Sequence, residues 1–337
     1  MDAAAANHAR WLPGAEAQRA GHNESFFQRG NHPSRPLAFW IRYTLFSPAL
    51  LPDHAVGELW AAFFDGETGV HVAVKRQVPI ARARFDRTAF AVRVDDAELG
   101  PSGLAGEVSS ADHRIAWKVR YRGSEAPLFL LPRALYETRL PRAKSLVGLP
   151  LAVHEGIVEV DGRAVDVGGW VGSQNHNWGS RHTDHYAWGQ VAGFDAHPRT
   201  FLEIATARLA VGPVWTPFMT PAVLRHEGRE HAANTLVALL RARGAFDYFT
   251  WRFRFETDAV RVAGRIAADR RDFVGLSYQN PPGGSKDCLN TKIASCALTL
   301  VHKTGPRRGQ VEALSARRRA AFEILTDDRA HGVAIRA

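Results

Sequence analysis

The run Leu37-Ala-Phe-Trp-Ile-Arg-Tyr-Thr-Leu-Phe46 is followed by Gly57-Glu-Leu-Trp-Ala-Ala-Phe-Phe64, then Asp65-Gly66, then Val70-His-Val-Ala-Val-Lys-Arg-Gln-Val78. In an extended chain Phe39, Ile41, Tyr43 and Leu45 fall on one side, and Arg42 and Thr44 on the other. The second and third runs are joined by a turn pair, so they read as an antiparallel hairpin. Alternation with period two and β-branched or aromatic content rules out a helix here.

The same pattern extends along the chain. Further strands are expected at Thr88–Val94, Arg114–Tyr121, Ile157–Val160 and Ala164–Val171, the last two flanking the turn pair Asp161-Gly162. Others follow at His185–Phe194, Thr200–Leu209, Ala222–Glu227, Ala245–Glu256, Val260–Ala267, Asp272–Tyr278 and Asp287–Val301. Leu314–Leu325 is ambiguous: its Ala and Arg content suits a helix, its place in the series a closing strand. Pro127–Pro150 is rich in proline and is expected as an irregular connector. The reading is all-β. At 337 residues one barrel would be unusually large, so two tandem antiparallel barrels or sandwiches split near residue 180 are expected. The division is 22–183 and 184–325, after a loose or weakly helical segment, residues 1–21.

Composition excludes several classes. Hydrophobic residues make up 45% and charged residues 23%, which suits a globular chain with its own core. The formal charge of +9 is carried mostly by arginines scattered along the strands, such as Arg82, Arg84, Arg252 and Arg254. A nucleic-acid binder concentrates such charge on one element, so no nucleic-acid partner is expected. Cys288 and Cys296, if on one strand, sit about 26 Å apart at ~3.3 Å per residue, too far for a disulfide. Free thiols point to a reducing, cytoplasmic setting. Met1–Arg10 has no apolar core run, and no stretch reaches ~18 apolar residues, so neither a signal peptide nor stable membrane insertion is expected.

One segment is unlike the rest: Gly168-Gly-Trp-Val-Gly-Ser-Gln-Asn175-His176-Asn177-Trp178-Gly179. It crowds glycines, tryptophans, amides and an imidazole into one strand and its exit. His176 can exchange a proton near neutral pH. Asn175 and Asn177 can fix its tautomer or hold a polar ligand atom, and Trp178 offers an apolar face. Shortly after, Asp184, Tyr186, Trp188 and Gln190 project together from one side of a strand, with His185 opposed. Asp184 is the only carboxylate close in sequence. The competing reading is a domain junction whose buried amides satisfy backbone groups, with Trp188 in a core. A metal site at His176, His182 and His185 is disfavoured, because no cysteine lies nearby and His182 and His185 fall on opposite faces of a strand. No nucleophile elbow, dinucleotide fingerprint or phosphate loop occurs.

These residues resemble a family. Val160-Asp-Gly162, Trp170-Val-Gly172, His176-Asn-Trp-Gly179 and Tyr186-Ala-Trp-Gly-Gln190 are similar to AttH-like proteins, grouped with carotenoid hydratase (hydroxyneurosporene synthase) and more distantly with tocopherol cyclase. Glu24-Ser-Phe-Phe27, Asn31-His-Pro33, Ala38–Thr44, Tyr278-Gln-Asn-Pro281 and Cys288-Leu-Asn290 extend the likeness over roughly residues 22 to 325. The resemblance implies two lipocalin-like barrels. It further implies proton-initiated hydration, cyclisation or isomerisation of an apolar isoprenoid- or polyketide-like molecule, with no metal or organic cofactor. In the hydratases an aspartate precedes the His-Asn-Trp-Gly run as proton donor; here that position is Asn175, and an amide cannot donate as an acid. His176 or Asp184 is then the expected catalytic group, and Asn175, Asn177, Trp178, Tyr186 and Trp188 the expected ligand contacts. A non-catalytic carrier of the same ligand remains the alternative.

Overall fold

The computed structural model describes residues 4–12, 19–211 and 213–337. The chain forms two large antiparallel sheets, rolled as tandem lipocalin-like barrels. The first takes its strands from residues 22–179 and the second from residues 185–326. Side by side in the first lie Val70–Pro79, Val56–Asp65, Leu37–Ser47, His22–Asn31, Trp170–Gly179 and Ala143–Val160. The second includes, in order, Ala222–His226, Phe201–Arg208, His185–Ala192, Val311–Thr326, Ser285–His302 and Val260–Ala267.

Three apolar clusters follow from strand alternation. Phe26, Phe39, Ile41, Tyr43 and Trp170 fill the first barrel, and Leu202, Trp251, Phe253 and Phe322 the second. The third lies between the barrels and holds Phe27, Trp40, Trp60, Trp188, Tyr278 and Leu325. Strand Leu37–Ser47 serves two of them: Phe39 and Ile41 point into its own barrel, Trp40 outward against the second. Every residue of that strand is buried. Burying a side chain of this size contributes roughly 1.5–3 kcal/mol, so the shared layer fuses the barrels into one body.

Most expected strands form, and the differences have local causes. The run at Thr88–Val94 is cut back to Val92–Val94, after a short strand Ala83–Phe85, because Asp86 Oδ1 accepts the amides of Thr88 and Ala89 and turns the chain. Ala245–Glu256 is a hairpin of Arg243–Asp247 and Thr250–Glu256, with Asp247 Oδ1 accepting the Tyr248 amide at the turn. The stretch Ala164–Val171 is divided at Asp166, which accepts the Gly168 amide. The ambiguous C-terminal run is a strand, Val311–Thr326.

Two expectations are corrected. The Pro127–Pro150 stretch is not wholly irregular: Ala143–Val160 is one long strand. Its register shifts at Val147/Leu149 and Pro150/Ala152, bulges that accommodate a residue without an N–H donor. Residues 4–12 are not loose. Ala4–Asn7 is a 3-10 turn with Ala6 fully buried, and the amides of Arg10 and Trp11 donate to Glu24 at 2.7 and 2.9 Å. Residues 1–3 and 13–18 of the expected N-terminal segment lie outside the described residues.

Candidate functional site

A cavity of about 360 Å³ opens at the junction of the barrels. That size falls within the roughly 300–1,000 Å³ of small-molecule sites. Its wall is mostly apolar, with Phe27, Leu130, Leu131, Leu209, Met219 and Leu239 among its members. Asn177 and Trp178 reach it from strand Trp170–Gly179, and Tyr186 and Trp188 from the following strand, His185–Ala192. Among the described residues, the only carboxylate in the wall is Glu323.

Cross-strand register explains how Glu323 arrives there. It sits opposite Trp188 on one side and Asn290 on the other. Asn290 Nδ2 donates to its Oε1 at 2.8 Å, and the Lys292 ammonium donates to the same oxygen at 2.7 Å. Oε2 has the Cys288 thiol at 3.8 Å. Lys292 is fully buried, with its Nζ 5.5 Å from the Trp40 ring and 5.4 Å from the Trp188 ring. Burial pulls the Lys292 ammonium below the usual lysine range, opposed by the charge of Glu323. Tyr186 shares the wall. Burial holds its phenol well above the usual range, so it is a hydrogen-bond donor rather than a base.

A polar network backs the cavity. Glu203 Oε1 accepts from Trp188 Nε1 at 2.7 Å and Oε2 from Gln190 Nε2 at 2.8 Å. Burial raises the Glu203 carboxyl to about 7, against the pull of those donors and of Arg29. Arg29, itself fully buried, donates to Gln190 Oε1 and to Asn31 Oδ1, and Asn31 reaches the Lys292 carbonyl at 2.7 Å. Buried polar groups linked in this way cross from the first sheet to the second and fix their relative placement.

The members of the central motif have different surroundings. Asn177 faces the cavity, and its Oδ1 is buried with no hydrogen-bond partner. Asn175 does not reach the wall. Its Nδ2 donates to Ser173 Oγ at 2.9 Å and its Oδ1 accepts from Gln190 at 2.8 Å. His176 points to the opposite side of the strand. Its Nε2 lies 2.8 Å from Glu24 Oε1 and its Nδ1 3.0 Å from the Ala6 carbonyl, and its ring stacks on Phe26 at 4.0 Å. Asp184 is also outside the wall: Arg181 donates to one oxygen and the Ala210 amide to the other at 2.9 Å. So the fold brings Asn177, Trp178, Tyr186 and Trp188 together and leaves Asn175, His176 and Asp184 out.

His176, His182 and His185 do not converge. His182 Nε2 meets the Gln279 carbonyl at 3.1 Å and His185 Nδ1 the Leu325 carbonyl at 3.1 Å. Among the described residues, the group able to share a cation is His197, His226 and Glu312, with ligand atoms within 4.8 Å. It lies apart from the cavity, and Arg307 already pairs with Glu312. Cys288 and Cys296 are free and buried on one strand.

Fold and site together define a two-barrel, lipocalin-like protein with a ligand-sized chamber where the barrels meet. No family model matches the chain. Two uncharacterized proteins from strains of Mycobacterium tuberculosis are each 26% identical over 292 residues, covering 83% of this chain and 82% of the relative. Among solved structures, a candidate AttH from Nitrosomonas europaea aligns with TM-score 0.57 at 13% identity, covering 91% of this chain and 92% of the other. Kievitone hydratase from Nectria haematococca aligns with TM-score 0.58 at 10% identity, over 94% and 93%. CghA solved with Sch210972 aligns with TM-score 0.56 at 11% identity, over 91% and 89%. These likenesses establish the fold: the chain is built like the AttH-type proteins that its motifs resemble.

Proposed function

We propose that the chain is an enzyme that encloses an apolar molecule in the junction cavity and starts a hydration, cyclisation or isomerisation by proton transfer through Glu323. The observation that supports this reading is the single carboxylate, among the described residues, of an otherwise largely apolar wall, with Oε1 held by Lys292 and Asn290 and Oε2 near the Cys288 thiol alone. In the forward step the one transferable proton of the Lys292–Glu323 pair passes through the Glu323 carboxyl to one carbon of a C=C bond, leaving Glu323 as carboxylate and Lys292 as neutral amine. The cation then takes water, an internal π-bond, or loses a neighbouring proton, and the released proton returns to the carboxylate. Trp178 and Trp188 supply aromatic faces for the cation, worth about 2 kcal/mol or more when desolvated. Tyr186 and Asn177 orient a polar substituent. An apolar wall excludes stray water from the cation. None of these steps calls on a cofactor. A structural neighbour named as a hydratase is consistent with this chemistry.

A second reading is carriage without chemistry. It draws on the placement of His176 and Asp184 away from the cavity. The two readings separate on incubating the protein in deuterium oxide with polyunsaturated isoprenoid and polyketide candidates and reading deuterium incorporation by mass spectrometry. The enzyme reading expects incorporation that Glu323→Gln reduces at least about a hundredfold while ligand binding persists. Binding with no incorporation by the wild type supports the carrier.

A further inference from the structure

We infer that the rim of this cavity is a docking surface for an anionic phospholipid bilayer, through which an apolar ligand enters without crossing water. The inference rests on the functional reading above for the ligand's character, and on the rim for everything else.

Three segments frame the opening, in their described residues: 129–144, 208–211 with 213–219, and 236–243. Each contributes to the cavity wall, through Leu135 and Pro141, Leu209 and Met219, and Leu239 respectively. The helix Leu236–Arg241 is apolar on all sides up to its final arginine. Leu239 faces the cavity and Ala238 packs on the second core, while Leu236, Val237 and Leu240 are 75%, 58% and 65% exposed. A six-residue helix cannot sustain itself by propensity alone, and an outward apolar face in water is a standing cost. Val214, Trp215 and Phe218 are exposed on the second segment, and Leu140 on the first. Of fourteen exposed large hydrophobic residues among those described, these three short segments hold seven. Scattered apolar side chains need no explanation, whereas a concentration around one opening marks an interaction site.

Charge identifies the occupant. The three segments carry six arginines, at 133, 139, 142, 208, 241 and 243, and one acidic residue, Glu137. The whole chain has 43 basic to 34 acidic residues. Arg208 lies 4.4 Å from the Trp215 ring and 5.1 Å from the Phe218 ring, so cation and aromatics share one surface. Apolar side chains that enter the acyl boundary, ringed by arginines that meet phosphate headgroups, are the components of interfacial binding. The loop is also braced for this: Lys144 Nζ donates to the carbonyls of Thr138 and Pro141 at 2.8 and 2.9 Å. No described helix is long and apolar enough to cross a membrane.

The test is cosedimentation of the full chain with phosphatidylcholine vesicles, with and without phosphatidylserine. Binding is expected only with phosphatidylserine, and it weakens with added salt. Leu236→Glu/Leu240→Glu should weaken it at least about tenfold, whereas Val311→Glu, an exposed apolar position outside these segments, should not. Absence of vesicle binding, equal binding to both vesicles, or binding unchanged in the double variant would overturn the inference. So would a dimer that the double variant dissolves. Uptake of the apolar probe N-phenylnaphthylamine by the free protein is read separately. Uptake without vesicle binding sinks only the docking surface; vesicle binding without uptake sinks only the cavity reading.

Discussion

The Lys292 ammonium lies 2.7 Å from Glu323 Oε1 in the layer between the barrels, with Asn290 on the same oxygen. The two charges come from neighbouring strands, 31 residues apart in sequence. Removing one partner strands the other. Lys292→Met should cost about 3–5 kcal/mol of stability. Lys292→Met/Glu323→Leu should recover most of it, because an apolar pair of similar volume suits this layer. Urea denaturation of the single and double variants checks this; a double variant as unstable as the single would count against an isolated pair.

Glu24 carries a different load. Burial alone would raise its carboxyl, but hydrogen bonds from His176 and His22 outweigh it and hold the group at about 2, against an ordinary 4.5. A depressed folded value stabilises the native state above pH 4.5 and is lost as pH falls toward 2. The contribution is roughly 3 kcal/mol. Glu24→Gln should therefore flatten the acid limb of the stability–pH curve. It should also release residues 4–12, read as faster amide exchange or proteolysis there.

Glu203 has the opposite sign. Burial lifts its carboxyl to about 7. The native state then holds a proton that the unfolded chain has released, so stability is full below pH 4.5 and falls as pH rises toward 7. The loss is roughly 3 kcal/mol. Glu203→Gln should remove this slope while adding a constant cost for the lost acceptor to Trp188 or Gln190. A wild-type curve flat between pH 5 and 8, a window about the shifted value, would contradict the assignment.

Legibility followed burial. Leu37–Phe46 and the hairpin after it could be read because alternation survives there, although both faces prove buried. His22–Asn31 could not. Its Glu24, Gln28, Arg29 and Asn31 are all buried, spent on the N-terminal segment or on the junction, so no apolar face shows. Trp178, Tyr186, Trp188 and Asn177 were legible as an unusual cluster and do meet at the cavity. Glu323 was missed, though a lone glutamate within Ala320-Ala-Phe-Glu-Ile-Leu325 is a signal. Its partner is remote in sequence, and only strand order brings the pair together. Local proximity singled out His176 and Asp184, but strand alternation turns His176 into the first barrel, and Asp184 is held by Arg181 and Ala210.

The cysteines give a simpler check. Both are buried and unpaired, and burial pushes the Cys296 thiol up to about 12 and Cys288 higher still. Neither should react with a thiol reagent in the native protein at neutral pH, and both should react in denaturant. Rapid native labelling of Cys288, which packs between the barrels, would show that the junction opens.

The central claim is that an apolar ligand sits in the cavity between Trp188 and the apolar wall. Ala205 lines that cavity beside Trp188, and Ala205→Trp would fill much of it. Titration of N-phenylnaphthylamine into the wild type and this variant, with folding checked by circular dichroism, tests the claim most directly. The expected result is a loss of affinity of at least about tenfold with the fold intact. Undiminished binding in a folded Ala205→Trp protein would place the ligand elsewhere and contradict the account.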